Sequence, residues 1–214
     1  METKFDAIII GGSAGAIAAL DMLLPCLPEN YPFPVIVVLH LHPLQDRYFL
    51  EHLGKSCNLH VKEADEKEKI QAGHIYFAPP NYHLLIENDK TFSLSIDEKV
   101  NYTRPSIDVL FESAARVYGS RLIAVILTGA NNDGAEGLRL VKQKGGLAIV
   151  QNPQSAGSPY MPSAALQATK SDFVLELEEI GRWLANLAQN PPSLAIESPK
   201  QNSGAAYNDK TDHE

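Results

Sequence analysis

Residues 5–20, FDAIIIGGSAGAIAAL, decide the fold of this 214-residue chain. An apolar run is interrupted by Gly11 and Gly12 and continues into alanine-rich sequence, which predicts a buried strand, a tight turn and a helix. Residues 11–15 also match G-x-S-x-G, the nucleophile elbow, in which small neighbours let a sharp turn expose the hydroxyl of the serine, here Ser13. A glycine-rich turn with an inactive serine is the alternative that the motif alone leaves open.

Nucleotide-binding motifs do not fit this stretch. Aligning Gly12 and Gly15 with the dinucleotide fingerprint puts Ile10 in the first glycine position, and His40 stands where that fingerprint needs an acidic residue. A phosphate-binding loop would need a Gly-Lys-Ser/Thr sequence, which is absent here. The sequence therefore predicts no nucleotide-binding site, and we expect the protein to use no cofactor.

Composition excludes several classes of partner. The formal net charge of -8 and a pI near 5.4 argue against binding to nucleic acid or to anionic membranes. Cys26 and Cys57 lack metal-binding spacing, as do the histidines, so we expect neither a disulfide framework nor a metal site. A signal peptide and a transmembrane stretch are both absent, which predicts a soluble cytoplasmic protein with no membrane insertion.

Strand and helix patterns alternate along most of the chain. Continuous β-branched and aliphatic runs at residues 35–39 (VIVVL) and 122–127 (LIAVIL) are typical of strands buried on both faces of a parallel sheet. Residues 74–97 (HIYFAPP, HLLIE and TFSLSID) suggest a small antiparallel hairpin section, and Ser106 is the expected N-cap of the helix that follows. We predict an α/β fold, with a doubly wound, mostly parallel sheet and helices on both faces. We expect residues 1–189 to form one domain and residues 190–214 to form a disordered tail.

Three residues whose side chains can act together as nucleophile, base and carboxylate follow predicted strands: Ser13, His40 and Asp133. The carboxyl ends of parallel strands meet at one edge of the sheet, where ligands of such folds bind. A serine hydroxyl needs a base within hydrogen-bond reach, and that base needs a carboxylate to fix its tautomer. Backbone N–H groups at the start of the helix after Ser13 would face a developing oxyanion. The three residues therefore predict nucleophilic acyl transfer.

The residues alone leave alternatives for two of these roles. His42 lies only two positions after His40 and competes with it as the base, whereas His74 and His83 fall in the hairpin region. Asp133 precedes Gly134 and could be a turn or capping residue. The weaker carboxylate candidates are Asp46 and Asp108, because each lies in or beside a predicted helix.

Six blocks of sequence together resemble the catalytic domain of the chemotaxis protein-glutamate methylesterases of the CheB type. In order, they are IIIGGSAGAIAAL, VIVVLHLHP, VKEADEKEKIQAGHIYFAPPNYHLLI, YTRPSIDVLFESAARVYG, AVILTGANNDGAEGL and IVQNPQSAGSPYMPSAAL, and the likeness covers residues 6–187. It implies hydrolysis of glutamate methyl esters on the cytoplasmic helices of chemoreceptors, with deamidation of receptor glutamines in some members. It also implies that Ser13 is the nucleophile, His40 the general base and Asp133 the orienting carboxylate.

The chain departs from the family pattern at three small residues. Ala14 and Ala16 replace the usual hydroxyl residue and glycine after the nucleophile, and Ala130 replaces a methionine before the aspartate. Members also commonly carry an N-terminal receiver domain, whereas this sequence starts at the catalytic strand, so we expect a stand-alone enzyme, with a separate receiver-domain protein as a potential partner. A serine esterase or amidase with another substrate, and a catalytically weak module that binds receptors or receivers, are the alternative hypotheses.

Overall fold

A computed structural model of the protein describes residues 4–40 and 46–189. The predictions for His42 and for the tail at residues 190–214 lie outside these residues. Nine strands and six α-helices are present in the described chain. The strands are β1 (Ala7–Gly12), β2 (Val35–Leu39), β3 (His60–Glu63), β4 (His74–Phe77), β5 (His83–Ile86), β6 (Phe92–Ser95), β7 (Leu122–Ile126), β8 (Leu147–Gln151) and β9 (Phe173–Leu175). The helices are α1 (Ala16–Leu23), α2 (Asp46–Ser56), α3 (Ile107–Tyr118), α4 (Ala135–Gln143), α5 (Tyr160–Ala168) and α6 (Leu177–Asn186).

Seven of the strands form one parallel sheet in the order β3-β4-β2-β1-β7-β8-β9. Every residue of β1, β2 and β7 is buried. Their uninterrupted apolar sequence follows from this position, because helices cover both faces of the central strands. The prediction of a doubly wound parallel sheet is confirmed.

Two apolar layers enclose the sheet. Ile8 and Ile10 of β1 pack on one side with residues of α1, α2 and α6. Ile9 packs on the other side with residues of α3, α4 and α5, and with the hairpin. This alternation is the two-residue period of a strand, with both faces covered instead of one. No helix within residues 4–40 and 46–189 is long and apolar enough to span a membrane.

The prediction for residues 74–80 was wrong in one respect. We expected HIYFAPP to belong to the antiparallel section, but β4 lies in the parallel sheet between β2 and β3, with Ile75 opposite Val35. Ile75 and Phe77 face one apolar layer and Tyr76 the other, so this short run is covered on both sides. Only β5 and β6 pair in antiparallel fashion among the described strands.

The order in which strands are added to the sheet reverses at β1. After β1 the chain forms β2 beside it, then β3 at the edge of the sheet and β4 between β3 and β2, and it then returns to place β7, β8 and β9 on the other side of β1. The carboxyl ends of β2, β1 and β7 therefore lie side by side at the point where the strand order reverses. The loops that follow these three strands carry the predicted site residues.

Candidate active site

The turn after β1 holds Ser13. The Ser13 N–H donates to the carbonyl of Thr128 at 2.9 Å, and the Thr128 hydroxyl donates to the carbonyl of Ala14 at 2.9 Å. Gly15 has a φ of 82°, a left-handed conformation that favours glycine, and it is the N-cap residue of α1. The turn is therefore clamped through its backbone, and in the described chain the partly exposed Ser13 hydroxyl has no hydrogen-bond partner.

His40 follows β2, beside this turn. Its N–H donates to the carbonyl of Gly12 at 3.3 Å, which brings the backbones of the two loops together. Position 12 does not accommodate a residue larger than glycine, because a Cβ there would lie 2.6 Å from the Cβ of Ala16. The His40 side chain is 11% exposed, and its Nε2 lies 2.8 Å from Oδ2 of Asp133. The structure thus brings the predicted base and carboxylate into contact.

Asp133 lies in the loop after β7 and is fully buried. Three groups donate to each of its oxygens. Oδ2 accepts hydrogen bonds from Nε2 of His40, the hydroxyl of Thr103 and the N–H of Ile107, and Oδ1 accepts them from Nδ2 of Asn101, the hydroxyl of Ser106 and the N–H of Asp108. Burial raises the pKa of Asp133, but these hydrogen bonds, led by the one from His40, lower the pKa to about 2. The carboxylate is therefore ionised at neutral pH.

Asp133 also caps a helix, although not the helix that follows it. The N–H groups of Ile107 and Asp108 begin α3, whose N-terminus favours negative charge. Ser106 occupies the N-cap position of α3, as predicted, but its side chain makes no capping bond and reaches Asp133 instead. The turn or capping role that the sequence left open for Asp133 is thus combined with its contact to His40.

The hydrogen bonds of His40 define its tautomer. Because the Asp133 carboxylate accepts, Nε2 of His40 must donate, and a neutral imidazole then has an unprotonated Nδ1. Nδ1 lies 3.2 Å from Nδ2 of Asn131, whose Oδ1 accepts the N–H of Asp133 at 3.2 Å. The amide of Asn131 is therefore oriented with its NH₂ group toward Nδ1. The lone pair that would accept a proton lies on Nδ1.

The other candidate residues have different surroundings. His83 is buried between the carbonyl of Glu98 and the N–H of Ser106, as a structural histidine. His74 is the first residue of β4, so it lies at the amino ends of the parallel strands, whereas the site lies at their carboxyl ends. Asp46 begins α2, and its side chain lies outside the description. Within residues 4–40 and 46–189, no three His, Cys, Asp or Glu side chains converge as metal ligands would.

Asp108 lies closer to the site than its place in a helix suggested. It is 6% exposed, and Nδ2 of Asn101 bridges it to Asp133, at 2.8 Å from Oδ2 of Asp108 and 2.9 Å from Oδ1 of Asp133. Burial raises the pKa of Asp108 to about 6, and the charge of Asp133 adds to the rise, although the N–H of Gly137 opposes it. A cleft of about 440 Å³, lined in part by Asn101 and Tyr160, opens beside this pair.

Sequence reasoning missed four of the polar groups around the site: Asn101, Thr103, Asn131 and the Ser106 hydroxyl. Only Asn131 carried a local signal, because an asparagine two residues before Asp133 can form an Asx turn with its N–H. The three departures from the family pattern separate into two kinds. Ala14 and Ala130 are exposed, whereas Ala16 is buried in the apolar core.

Comparison with known proteins identifies the family to which this site belongs. The family model described as CheB methylesterase matches residues 8–184. The chain belongs to the CheB methylesterase family. A relative from Leptospira interrogans, named putative protein-glutamate methylesterase/protein-glutamine glutaminase, is 53% identical over 187 residues, which cover 87% of this chain and 97% of the relative.

More distant members of the CheB methylesterase family include longer proteins. The protein-glutamate methylesterase/protein-glutamine glutaminase of Thermotoga maritima is 36% identical over 183 residues, and the match spans 84% of this chain but only 53% of that relative. The crystal structure of the Thermotoga maritima CheB methylesterase catalytic domain superposes with a TM-score of 0.82 at 35% identity, covering 86% of this chain and 98% of that one. The family and the fold that the sequence predicts are both confirmed.

Proposed function

We propose that this chain is a serine hydrolase that removes methyl esters from glutamate side chains of chemoreceptors. The names of its relatives support this reaction. The observation that carries the assignment of roles is the 2.8 Å contact between His40 and the ionised Asp133, beside the loop that holds Ser13. Ser13 is the nucleophile, His40 the general base, and Asp133 the carboxylate that orients His40.

The reaction proceeds through an acyl-enzyme. The oxygen of Ser13 attacks the ester carbonyl while Nδ1 of His40 takes the hydroxyl proton, and Asp133 stabilises the imidazolium through Nε2–H. The C–O bond to the methoxy group then breaks, and His40 returns the proton so that methanol leaves. Water attacks the acyl-enzyme in the same way and releases the glutamate.

The oxyanion of this reaction would form near the start of α1. Ala14 and Gly15 are exposed in the turn between Ser13 and the helix. The N-terminal end of a helix favours negative charge, and backbone donors there require no particular side chain. The exchange of a hydroxyl residue for Ala14 therefore leaves these donors in place.

Deamidation of receptor glutamines is a second reaction for the same site. The relatives from Leptospira interrogans and Thermotoga maritima carry protein-glutamine glutaminase in their names. An amide and an ester present the same carbonyl to Ser13, and His40 would protonate departing ammonia instead of methanol. Ammonia release from an unmethylated, glutamine-containing receptor fragment tests this reaction.

The substrates are the methylated cytoplasmic helices of chemoreceptors, so the enzyme would act in the cytoplasm.

A separate receiver-domain protein would be the regulator of the enzyme. Adding a phosphorylated receiver protein and measuring the change in the rate of methanol release tests this partner. A rate that is independent of the receiver would remove it from the proposal.

Methanol release from a methylated receptor fragment tests the main reaction. We expect Ser13→Ala and His40→Ala each to lose activity by a factor on the order of 10³ or more. The matched controls are Ser120→Ala and His74→Ala, which alter the same residue types at the amino ends of the strands, away from the site. Both variants should retain wild-type rates. Wild-type turnover in Ser13→Ala, or esterase activity only on simple esters, would contradict the proposal.

A further inference from the structure

Asn131 is a polar residue of the site for which the acyl-transfer reaction requires no role. It lies in the loop after β7, two residues before Asp133, and it contacts both His40 and Asp133. Its Oδ1 accepts the Asp133 N–H, and its Nδ2 lies 3.2 Å from Nδ1 of His40. The first contact fixes the direction of the amide, so that the second must be a hydrogen bond donated to the imidazole.

This hydrogen bond occupies the nitrogen that has to act as the base. Nε2 of His40 donates to Asp133, so Nδ1 carries the only lone pair of the ring that can receive a proton. The ring is 11% exposed, which limits the water that could occupy Nδ1 in place of the amide. Asn131 and the hydroxyl of Ser13 therefore need the same atom at different stages of the reaction.

We propose that Asn131 is a positioning residue that holds Nδ1 of His40 unprotonated in the resting enzyme and releases it when Ser13 delivers its proton. The inference rests on the proposed function, because it takes Ser13 as the nucleophile and His40 as the base. Asn131 acts through His40, and it forms no bond to the substrate in this role.

The proton balance defines when Asn131 must move. As the O–H bond of Ser13 breaks, an N–H bond forms at Nδ1, which then has no lone pair and cannot accept from Nδ2 of Asn131. The Asn131 amide is free of Nδ1 for as long as His40 holds the proton. When the C–O bond of the ester breaks and the proton passes to the methoxy oxygen, the lone pair returns to Nδ1 and the amide binds again.

Two substitutions separate this role from a purely structural one. Asn131→Asp keeps the acceptor for the Asp133 N–H but places a carboxylate oxygen against the Nδ1 lone pair, which favours a proton on Nδ1 and removes the base. Asn131→Ala loses the acceptor for the turn but leaves Nδ1 free. We expect Asn131→Asp to lower kcat for methanol release at least about 100-fold, the scale of general-base catalysis, and Asn131→Ala to lower it less than about tenfold.

The opposite order would overturn the proposal. If Asn131 only shapes the turn, Asn131→Asp will match the wild type and Asn131→Ala will be the weaker enzyme, because aspartate forms the same turn as asparagine. Equal losses in the two variants would also overturn it. Asn132→Asp is the control, since it places the same charge on the exposed neighbouring residue and should change kcat less than about threefold, the scale of exposed charge interactions.

Nitrogen NMR of the His40 ring gives a second readout that does not depend on turnover. The wild type should show a proton on Nε2 only, and Asn131→Asp should show protons on both nitrogens at the same neutral pH. A proton on Nδ1 in the wild type would overturn the inference. Failure of the proposed function would look different, because Ser13→Ala would then retain wild-type methanol release while the NMR result stood.

Discussion

Asp133 and Asp108 are two buried carboxyl groups that share one hydrogen-bond donor, and yet their pKa values are shifted in opposite directions. They are 0% and 6% exposed, and both are bound by the side-chain amide of Asn101. The pKa of Asp133 is lowered to about 2, whereas that of Asp108 is raised to about 6. Since burial raises both pKa values, burial does not explain the difference between them.

The hydrogen-bond donors around each carboxylate explain it. Asp133 accepts three hydrogen bonds on each oxygen, including two from the first N–H groups of α3. Asp108 accepts from the N–H of Gly137 at 2.7 Å and from Asn101, and it faces the charge of Asp133. The fold thus concentrates its donors on the carboxylate that contacts His40, and the neighbouring carboxylate keeps its proton more readily.

The largest effect is expected from Asp133→Asn. The new amide turns an NH₂ group toward donors that need an acceptor, and Nε2 of His40 loses its ionised partner. We expect kcat for methanol release to fall by a factor on the order of 10⁴ and the free energy of unfolding to fall by roughly 3 kcal/mol or more. Methanol release and urea denaturation at pH 7.5 measure the two effects.

Asp108→Asn is the matched control for that variant. It makes the same chemical change at the carboxylate that does not contact His40 and that has fewer donors, so we expect less than about a tenfold loss in kcat. Equal losses of kcat in the two variants would show that both carboxylates are needed for catalysis, and would contradict the assignment of the orienting role to Asp133 alone.

The pH dependence of stability is the next largest expected effect. The folded pKa of Asp108 is raised, so the folded state holds a proton that the unfolded state loses between about pH 4 and pH 6, and stability falls as the pH rises through this window. Two pKa units correspond to about 3 kcal/mol. Asp133 acts in the opposite direction, because its lowered pKa stabilises the fold above about pH 4, and that stability is lost as the pH falls toward 2.

Asp108→Asn should remove the first of these slopes and leave the second. Urea denaturation at intervals from pH 4 to pH 7.5 measures the difference in unfolding free energy between the variant and the wild type. We expect this difference to shift in favour of the variant by roughly 3 kcal/mol as the pH rises. A constant difference across the range would show that Asp108 ionises in the folded protein as it does in the unfolded chain.

The reasons why the sequence predicts one half of this site and not the other are physical. Ser13, His40 and Asp133 follow strands whose apolar runs are continuous, and parallel strands bring their carboxyl ends to one edge. Asp108 lies in a helix pattern, and its distance from Asp133 depends on how α3 packs against the loop after β7. That packing leaves no trace in local sequence, so a carboxylate in a helix looked like the weaker candidate.

The hydrogen-bond donors of Asp133 likewise could not be predicted from local sequence. Ser106 has the sequence context of an N-cap, and only the tertiary fold provides a stronger acceptor that diverts its hydroxyl. Asn101 is 32 residues from Asp133 along the chain. The parallel placement of β4 is a further case, because a run of four residues followed by Pro79 and Pro80 is compatible with either kind of sheet.

Asn101→Ala tests the amide shared by the two carboxylates. It removes one charge-assisted hydrogen bond from each, so we expect the free energy of unfolding at pH 8 to fall by about 2 kcal/mol. The cost should be smaller in an Asp108→Asn background, because one of the two charges is then absent. Urea denaturation of the single and double variants measures this, with Asn132→Ala as the exposed control. A loss within about 0.5 kcal/mol of that control would show that Asn101 contributes little to either carboxylate.

The smallest expected effect concerns the turn that carries Asn101. The next residue, Tyr102, has a φ of 65° and is 95% exposed, so its ring stabilises little while its backbone occupies the left-handed region. Glycine adopts this conformation freely, although it gains entropy in the unfolded chain, and we expect Tyr102→Gly to raise the free energy of unfolding by about 0.5 kcal/mol. Tyr160→Gly, at the exposed first residue of α5, should instead lower it. If both variants lose stability alike, the turn is not strained, and the hydrogen bonds of Asn101 to the two carboxylates hold it without cost to the backbone.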